Sequence, residues 1–508
     1  MGAGAARPQP DQRIHLRRQW AGHPDRIRKR NSDRALRGRK RGHHPWAGSL
    51  PPRRLSVLTL SGRSSRAPVP FPRGVNVRSL KSLPHSQLII AAGFAALSGC
   101  ASVEGAASGG GSTGSSSSAV LSLEPIAGAV QKRIDDGSIP GALVHISERG
   151  RSSYRQAQGY ADLERRIPVA PDTIFRFYSM TKPITCAAVM TLYDAGRIDL
   201  DAPISRYLPE FREMRVRTTS GLVAAKRDIT VRHLMTHTSG LSYEILPGPV
   251  SDDYRRADVF AIRNRTTETL EAHVRRLSAL PLALQPGEGW NYGESMGVLG
   301  RLVEVVSGQS YRTYLKANVL DPLGMTDTDF FVPAEKAHRL AQLYTKAGAA
   351  PLQNAQDAAQ FGGSYLEQPK LEYGGAGLVG TADDYMSFAH MLLARGTHKG
   401  ARILSEKSVD MMMSNQLPPE LGEQPLVSAG RAPGVGFGFC GFVVVARDQR
   451  SPPGSVGEYG WSGWASTAFW VDPARDLAGL VFTQVVPDEV GAIRLADDVR
   501  EVIYRAAN

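Results

Sequence analysis

The order of strand-like and helix-like segments limits the fold of this chain more than any other feature. After about residue 122, apolar or alternating runs typical of strands lie near both ends of the chain, at 142–148, 153–161, 435–446, 465–471 and 477–485. Helix-like segments precede the first strand (124–136) and follow the last one (492–506). This order predicts an α+β fold, in which an antiparallel sheet built from both ends of the chain is flanked by the terminal helices and joined to a mostly helical lobe.

The same pattern predicts one folded domain at 122–508. The sheet lobe is expected at about 122–204 and 371–508, and the helical lobe at about 205–370. With a hydrophobic content of 42% over the whole chain, a region of this length can bury a sizeable core.

The basic character of the chain belongs to its first segment. Residues 1–74 contain 16 Arg and 2 Lys against 3 Asp, a net charge of +15, while the whole chain carries +13 and the remainder therefore −2. Because the segment is rich in Arg, Pro and Gly and has little apolar periodicity, residues 1–77 are predicted to be a disordered tail. Two interpretations stay open: a nucleic-acid-binding tail, or residues upstream of the true start that are not part of the working protein. The next segment favours the second, so no nucleic-acid partner is expected.

A short apolar run follows this tail. Residues 88–97 are preceded by Arg78 and Lys81 and are too few to span a bilayer as a helix, but they suit the apolar part of a secretory signal. Leu97-Ser98-Gly99-Cys100 resembles the lipobox of bacterial lipoproteins, which implies a signal segment at 78–100, lipidation of Cys100 and a location in the periplasm or at the outer membrane. The alternative is a short buried helix. Residues 101–121, rich in Gly and Ser, are predicted to be a flexible linker.

Two further cysteines lie in the folded region. Cys186 and Cys440 do not have the spacing of metal ligands, and Cys186 lies in an apolar helix-like segment. We therefore expect two buried free thiols rather than a disulfide. No metal or cofactor is expected.

Ser179 and Lys182 form the first candidate pair for catalysis. Pro183 is tolerated only near a helix N-terminus, and the apolar residues after it indicate a helix that begins at or just after Ser179. Residues three apart lie on one face of such a turn, so the Lys182 amine can reach the Ser179 hydroxyl. A serine becomes a nucleophile when a neighbouring base takes its proton.

Two other motifs complete the pattern. Tyr292 lies at a loop–helix junction in Trp290-Asn291-Tyr292-Gly293-Glu294-Ser295, and Trp461-Ser462-Gly463 precedes an alternating run near the end of the chain. Together with Ser179-x-x-Lys182, they resemble the serine β-lactamase and penicillin-recognising superfamily, in particular its class C-like branch and the family VIII carboxylesterases. The resemblance covers about residues 122–508.

The resemblance implies a mechanism and a set of site residues. Ser179 would attack an acyl carbonyl, while Lys182 and Tyr292 share the proton transfers; whether Lys182 is neutral or Tyr292 is ionised stays open. The backbone N–H groups of Ser179 and Trp464 would form the oxyanion hole. Water would then cleave the acyl-enzyme. The substrate pocket would include Trp461, Ser462, Gly463 and Glu294.

Departures from the family pattern favour ester substrates. Penicillin-recognising enzymes usually place a Lys or His at the position of Trp461, and commonly an Asn at that of Glu294. A Trp cannot pair with a substrate carboxylate, and an acidic side chain would repel one. We therefore expect a serine hydrolase that acts on small neutral carboxylic esters. The alternatives are a β-lactamase or D-amino-acid peptidase and a catalytically silent penicillin-binding-like protein; the oligomeric state stays open.

Two other patterns compete with this assignment. Gly293-Glu294-Ser295-Met296-Gly297 matches a nucleophile elbow but lacks the buried strand that should precede it, so Ser295 is not expected to be the nucleophile. His233 and His237 have the spacing of helical zinc ligands without the glutamate that usually follows the first His. The resemblance implies instead that His237 is structural.

Overall fold

The computed structural model describes residues 123–421, 433–448, 451, 453–486 and 492–506. The predicted tail (1–77), signal segment (78–100) and linker (101–121) therefore lie outside the described residues, and so does Cys100. Within the described ranges, no helix is both long enough and apolar enough to cross a membrane.

The described secondary structure comprises α-helices and β-strands that we number in chain order. The α-helices are α1 (Glu124–Asp135), α2 (Thr181–Asp194), α3 (Val231–Met235), α4 (Ser251–Ala257), α5 (Leu270–Ser278), α6 (Ser295–Ser307), α7 (Tyr311–Leu315), α8 (Ala382–Leu393), α9 (Glu406–Met413) and α10 (Ala492–Ala506). The strands are β1 (Gly141–Glu148), β2 (Arg151–Asp162), β3 (Ile167–Pro168), β4 (Phe175–Arg176), β5 (Arg215–Thr218), β6 (Gly221–Ala224), β7 (Tyr344–Thr345), β8 (Gln353–Asn354), β9 (Val379–Gly380), β10 (Thr397–His398), β11 (Ala401–Arg402), β12 (Val435–Phe437), β13 (Phe442–Val444), β14 (Tyr459–Gly463), β15 (Thr467–Asp472), β16 (Leu477–Phe482) and β17 (Val485–Val486).

The main sheet has eight strands in the order β12-β13-β14-β15-β16-β1-β2-β3, and every neighbouring pair is antiparallel. Strand β16 pairs with β1, with Leu143 opposite Phe482 and Glu148 opposite Leu477. The sheet therefore joins strands from both ends of the folded region. The predicted α+β architecture, an antiparallel sheet with helices, is confirmed.

Helices cover both faces of this sheet. Successive residues of a strand point to opposite faces, and in β1 the side chain of Leu143 enters one core cluster while Val144 enters the other. On the Val144 side, α1 and α10 supply buried residues such as Ile126 and Val499. On the other side, α8 packs against β15 and β16. The central strands β15 and β16 are buried along their whole length.

A buried polar cluster holds the terminal helix α10 on the sheet. The Tyr504 hydroxyl lies 2.9 Å from both Glu458 Oε2 and Asp472 Oδ2, and Arg500 pairs with Glu458 at 2.6 Å. Burial of these groups costs free energy unless they are paired, so the mutual contacts stabilise the packing of α10.

Two strand predictions needed correction. The expected single strand at 435–446 is a tight hairpin of β12 and β13, in which Cys440 adopts a φ of +63° at the turn. Residues 459–463, expected only to lead into a strand, form β14 themselves. The first error arose because a continuous apolar run does not show where a chain reverses. The second arose because residues 459–463 contain two glycines, a residue type that is depleted in strands.

The prediction of two free thiols is wrong. Cys186 of α2 and Cys440 of the β12–β13 turn form a disulfide with a Cα–Cα distance of 6.1 Å, across 254 residues of sequence. Both residues are fully buried. The bond ties the helix that follows Ser179 to one edge of the main sheet.

Candidate active site

Ser179 lies in a short 3₁₀ turn (Tyr178–Met180) that runs directly into α2. Tyr178 has a φ of +45°, a conformation that bulky residues rarely adopt and that surrounding contacts must hold. Its hydroxyl donates to the carbonyl of Phe361 at 2.8 Å, and the Tyr385 hydroxyl donates to the carbonyl of Met180 at 2.8 Å. The turn is thus fixed on both sides of Ser179, which is half-buried.

The Lys182 amine lies 3.0 Å from Ser179 Oγ, as expected for residues three apart in the first turns of a helix. It also donates to the carbonyl of Gly375 at 2.7 Å, and its side chain is fully buried. Among the described residues, no carboxylate forms an ion pair with Lys182. Its immediate partners are therefore neutral oxygens and aromatic rings.

Tyr292 contacts the same serine oxygen. Its hydroxyl lies 2.8 Å from Ser179 Oγ, and its ring lies 4.6 Å below the Lys182 amine. Four aromatic side chains hold the ring in place at centroid distances of 4.7–5.9 Å: His237, Tyr243, Trp461 and Trp290. The structure thus brings together Ser179, Lys182 and Tyr292, the three residues expected to catalyse.

The end of β14 lies against the turn that carries Ser179. A Cβ atom on Gly463 would lie 2.2 Å from the carbonyl oxygen of Phe177, so only glycine allows this approach. The next residue, Trp464, packs its ring against Tyr178 at 5.9 Å. Ser179 and Trp464, the residues expected to supply the oxyanion-hole N–H groups, therefore belong to two segments in direct contact. Ser462 is half-buried at the same strand end.

An aromatic wall extends from Trp464 on this side. Phe361 and Phe260 pack edge-on against the Trp464 ring at 5.2 and 6.1 Å. Trp464 and Phe361 are half-buried, so both offer apolar surface beside Ser179.

Two residues expected to line the substrate pocket, Glu294 and Trp461, are buried instead. Glu294 has no exposed surface and faces His273, with Oε2 3.5 Å from Nε2. Glu294 therefore does not line an open pocket, and its carboxylate cannot repel a substrate by direct contact. Trp461 is 5% exposed and packs between Tyr292 and Phe437.

The competing patterns occupy structural positions. Ser295 is fully buried at the first position of α6, and its hydroxyl pairs with that of Ser239 at 2.8 Å. His237 is also fully buried, and burial together with the nearby Lys182 charge lowers its pKa well below the usual value. No group of three or more potential metal ligands occurs in the part of the chain that the structure describes.

The sequence did not reveal the second partner of Lys182 or the partner of Glu294. The glycine-rich stretch 374–378 did not indicate that the Gly375 carbonyl accepts from Lys182. The available signal was the pair of consecutive glycines, because glycine often marks a close approach of the backbone to another group. A Cβ on Gly375 would lie 2.2 Å from the Tyr373 ring. Nothing in the sequence around His273 indicated its contact with Glu294.

This geometry supports nucleophilic chemistry at Ser179. Two proton-carrying groups lie within 3.0 Å of one hydroxyl oxygen. Once one of them has lost its proton, it can accept the proton of Ser179 while the other remains a donor.

The chain is similar in sequence and in fold to known proteins. Residues 126–503 match the sequence model of the family described as Beta-lactamase. The chain is 33% identical over 379 residues to Esterase EstB of Burkholderia gladioli, covering 72% of this chain and 90% of that protein. The solved structure of EstCE1, described as a hydrolase with promiscuous acyltransferase activity, superposes with a TM-score of 0.65 at 28% identity, covering 75% of this chain and 98% of that one. Unliganded, selenomethionyl simvastatin synthase (LovD) of Aspergillus terreus superposes with a TM-score of 0.62 at 26% identity, covering 75% of this chain and 98% of that one.

Proposed function

The chain belongs to the β-lactamase family and is a serine-type hydrolase, and on that premise we propose that it cleaves small neutral carboxylic esters through an acyl-Ser179 intermediate. The observation that carries the proposal is the convergence of Lys182 and Tyr292 on the Ser179 hydroxyl, at 3.0 and 2.8 Å. A catalytically silent protein has no chemical need for that arrangement.

The proposed reaction has two steps. Ser179 Oγ attacks the ester carbonyl while its proton passes to Lys182 or Tyr292, and that proton then goes to the leaving alcohol as the C–O bond breaks. Water attacks the acyl-enzyme, giving up a proton to the same pair, and Ser179 is restored. The N–H groups of Ser179 and Trp464 are proposed to stabilise the oxyanion in both steps.

The surroundings of Ser179 favour an ester over a β-lactam or a D-amino-acid peptide. By the family resemblance, penicillin-recognising enzymes usually carry a Lys or His at the position of Trp461, whereas here a neutral ring is buried there against Tyr292. The half-buried rings of Trp464 and Phe361 offer apolar contact. Such surfaces suit an uncharged substrate with an apolar acyl group. The name of the relative EstB, an esterase, points the same way.

The test compares wild-type protein with Ser179→Ala on a short-chain p-nitrophenyl ester and on a chromogenic cephalosporin. We expect the wild type alone to cleave the ester, with slow or no turnover of the cephalosporin. A better rate on the cephalosporin would favour the β-lactamase alternative. Full esterase activity in Ser179→Ala would place the nucleophile elsewhere.

We further propose that the protein is exported and lipid-anchored through Cys100. Disulfides persist mainly in oxidising compartments, which fits the bond between Cys186 and Cys440. That pairing leaves Cys100 as the one remaining cysteine of the sequence. Mass spectrometry of the mature N-terminus in the native host tests this: a diacylglyceryl mass on an N-terminal Cys100 is expected. An intact Met1 would contradict it and would restore the nucleic-acid-binding interpretation of residues 1–74.

A further inference from the structure

A cluster of charged residues, two of them fully buried, adjoins the segment that carries Tyr292. Glu294 follows Tyr292 by two residues, precedes α6 and has no exposed surface. Its Oε2 lies 3.5 Å from His273 Nε2, and His273 Nδ1 lies 3.1 Å from Glu268 Oε1. His273, also fully buried, thus stands between two carboxylates.

These groups alternate in charge. The two carboxylates outweigh the effect of burial and raise the pKa of His273 to about 9, so its imidazole is positively charged at neutral pH. Glu268 in turn pairs with Arg276 at 2.6 Å. Buried charges are tolerated when each has a neighbour of opposite charge. Here the contacts follow the order Glu294, His273, Glu268 and Arg276.

Tyr373 extends the cluster toward Lys182. Burial, and after it the charge of the Glu294 carboxylate with which its hydroxyl interacts, hold the pKa of Tyr373 well above the usual value. The same hydroxyl lies 3.0 Å from the Tyr243 hydroxyl. Two residues later, the Gly375 carbonyl accepts from Lys182 at 2.7 Å. The Tyr373 ring lies so close to Gly375 that a Cβ there would be 2.2 Å away. The position of Tyr373 therefore controls where that carbonyl can lie.

Glu294 is linked both to Tyr292 and, through Tyr373, to Gly375. Through the peptide Tyr292-Gly293-Glu294 it is linked to the group that contacts Ser179, and Gly293 packs so tightly that a Cβ would lie 2.4 Å from the Leu241 carbonyl oxygen. Glu294 Oε1 lies 3.4 Å from the backbone nitrogen of Ala261. The carboxylate thus has fixed contacts with separate segments of the chain.

We propose that Glu294 and His273 form a charged positioning pair that holds the Tyr292 hydroxyl and the Gly375 carbonyl, and through it Lys182, at the distances that activate Ser179. The proposal rests on the proposed acyl-Ser179 chemistry. Neither Glu294 nor His273 touches the substrate. Loss of the His273 charge leaves Glu294 buried without its ion-pair partner, and loss of the Glu294 charge leaves the imidazolium with Glu268 alone. Either change should loosen the placement of Tyr292 and of Gly375.

The test uses the variants Glu294→Gln, His273→Gln and Tyr373→Phe in the full chain. Glu372→Gln is the matched control, because Glu372 is also buried and adjoins Tyr373, but its carboxylate accepts from the Arg312 N–H away from Ser179. The first readout is the rate at which a fluorophosphonate labels Ser179, since this rate reports activation of the hydroxyl whatever the natural ester is. The second is the division of ester kinetics into kcat and KM, measured with the melting temperature.

We expect Ser179 labelling and kcat to fall about 10- to 100-fold in Glu294→Gln and His273→Gln, with KM little changed, because small displacements of catalytic groups slow the chemical step. Tyr373→Phe should also lower Ser179 labelling and kcat, because it removes the hydroxyl that links Glu294 to the segment carrying Gly375. Glu372→Gln keeps an acceptor for the Arg312 N–H and should retain wild-type labelling and kcat.

The pH profile separates positioning from general loss of stability. The groups that face the pair are Glu268 and Arg276 on its α5 side, and Tyr373, Tyr243 and Tyr254 from other segments. In wild type, labelling should lose a component as His273 deprotonates near pH 9. In Glu294→Gln this loss should move to lower pH because the imidazolium has one anionic neighbour fewer, and in His273→Gln it should disappear.

Folded Glu294→Gln protein with wild-type labelling rate, kcat and pH profile would overturn the proposal. If His273→Gln does not fold, Glu294→Gln and Tyr373→Phe still decide the question. If wild-type Ser179 is labelled but no ester is cleaved, the esterase proposal fails, and the labelling rates of the variants still test the positioning pair. Wild-type Ser179 that is not labelled at all would overturn both.

Discussion

The Tyr292 hydroxyl lies 2.8 Å from Ser179 Oγ, although the two residues are 113 positions apart in the sequence. Tyr292→Phe removes this hydroxyl but keeps the ring that packs against His237 and Trp290. We expect kcat to fall by about 10²- to 10⁴-fold, the usual contribution of a proton-transfer group, with KM and the melting temperature little changed. Steady-state ester kinetics test this.

Tyr504→Phe on α10 is the control for loss of a buried hydroxyl. It removes the hydrogen bonds to Glu458 and Asp472 and should lower the melting temperature without changing kcat. Wild-type kcat in Tyr292→Phe would contradict a role for its hydroxyl in proton transfer.

The aromatic wall should set the preference for the acyl group. Trp464→Ala keeps the backbone N–H of residue 464 but removes the ring that packs on Phe361 and Phe260. We expect kcat/KM for esters with longer apolar acyl groups to fall about 10-fold relative to acetate esters, in line with the modest value of apolar pocket contacts. Trp464→Phe should restore most of the preference. An equal loss on acetate and on longer esters would mean that the ring does not contact the acyl group.

The disulfide should contribute strongly to stability. Replacing both Cys186 and Cys440 with Ala should lower the free energy of unfolding by about 2–5 kcal/mol, because the bond closes a long loop in the unfolded chain. Denaturant titration of wild type and double variant measures the difference. Cys100→Ser is the control and should unfold as wild type does. Alkylation of Cys186 and Cys440 in denatured protein that was never reduced would show that the bond does not form.

His273 should make stability depend on pH in the alkaline range. Its pKa is raised from 6.5 to about 9 in the folded protein, so its stabilising effect is fully present below about pH 6.5 and is lost as pH rises through about 9. The shift corresponds to at most about 3 kcal/mol. The unfolding free energy of wild type minus that of His273→Gln, measured by urea titration from pH 6 to about 9.5, should shrink by about that amount. A difference that does not vary with pH would show that His273 is not charged in the folded state.

Local sequence signals predicted the parts of the site that are local in the chain. Ser179 and Lys182 are three apart at a helix start, so their contact follows from helix geometry alone. The contacts of Glu294 with His273 and of Cys186 with Cys440 depend on tertiary packing across many residues, and no periodicity encodes them. The family pattern indicated which position Glu294 occupies but not the direction of its side chain. For this reason Glu294, a buried carboxylate, was assigned to the substrate pocket.

The pairing of β1 with β16 has a consequence for how the protein is made. The turn with Ser179 contacts the end of β14, and that strand is joined to β1 only through β15 and β16. A ribosome or a translocation channel that has released Ser179, Lys182 and Tyr292 has therefore not yet released the strands that complete their surroundings. The nascent chain should remain without activity until residue 482 has emerged. Under the proposed export and esterase activity, a chain assembled this late would be inactive on the near side of the membrane during its translocation.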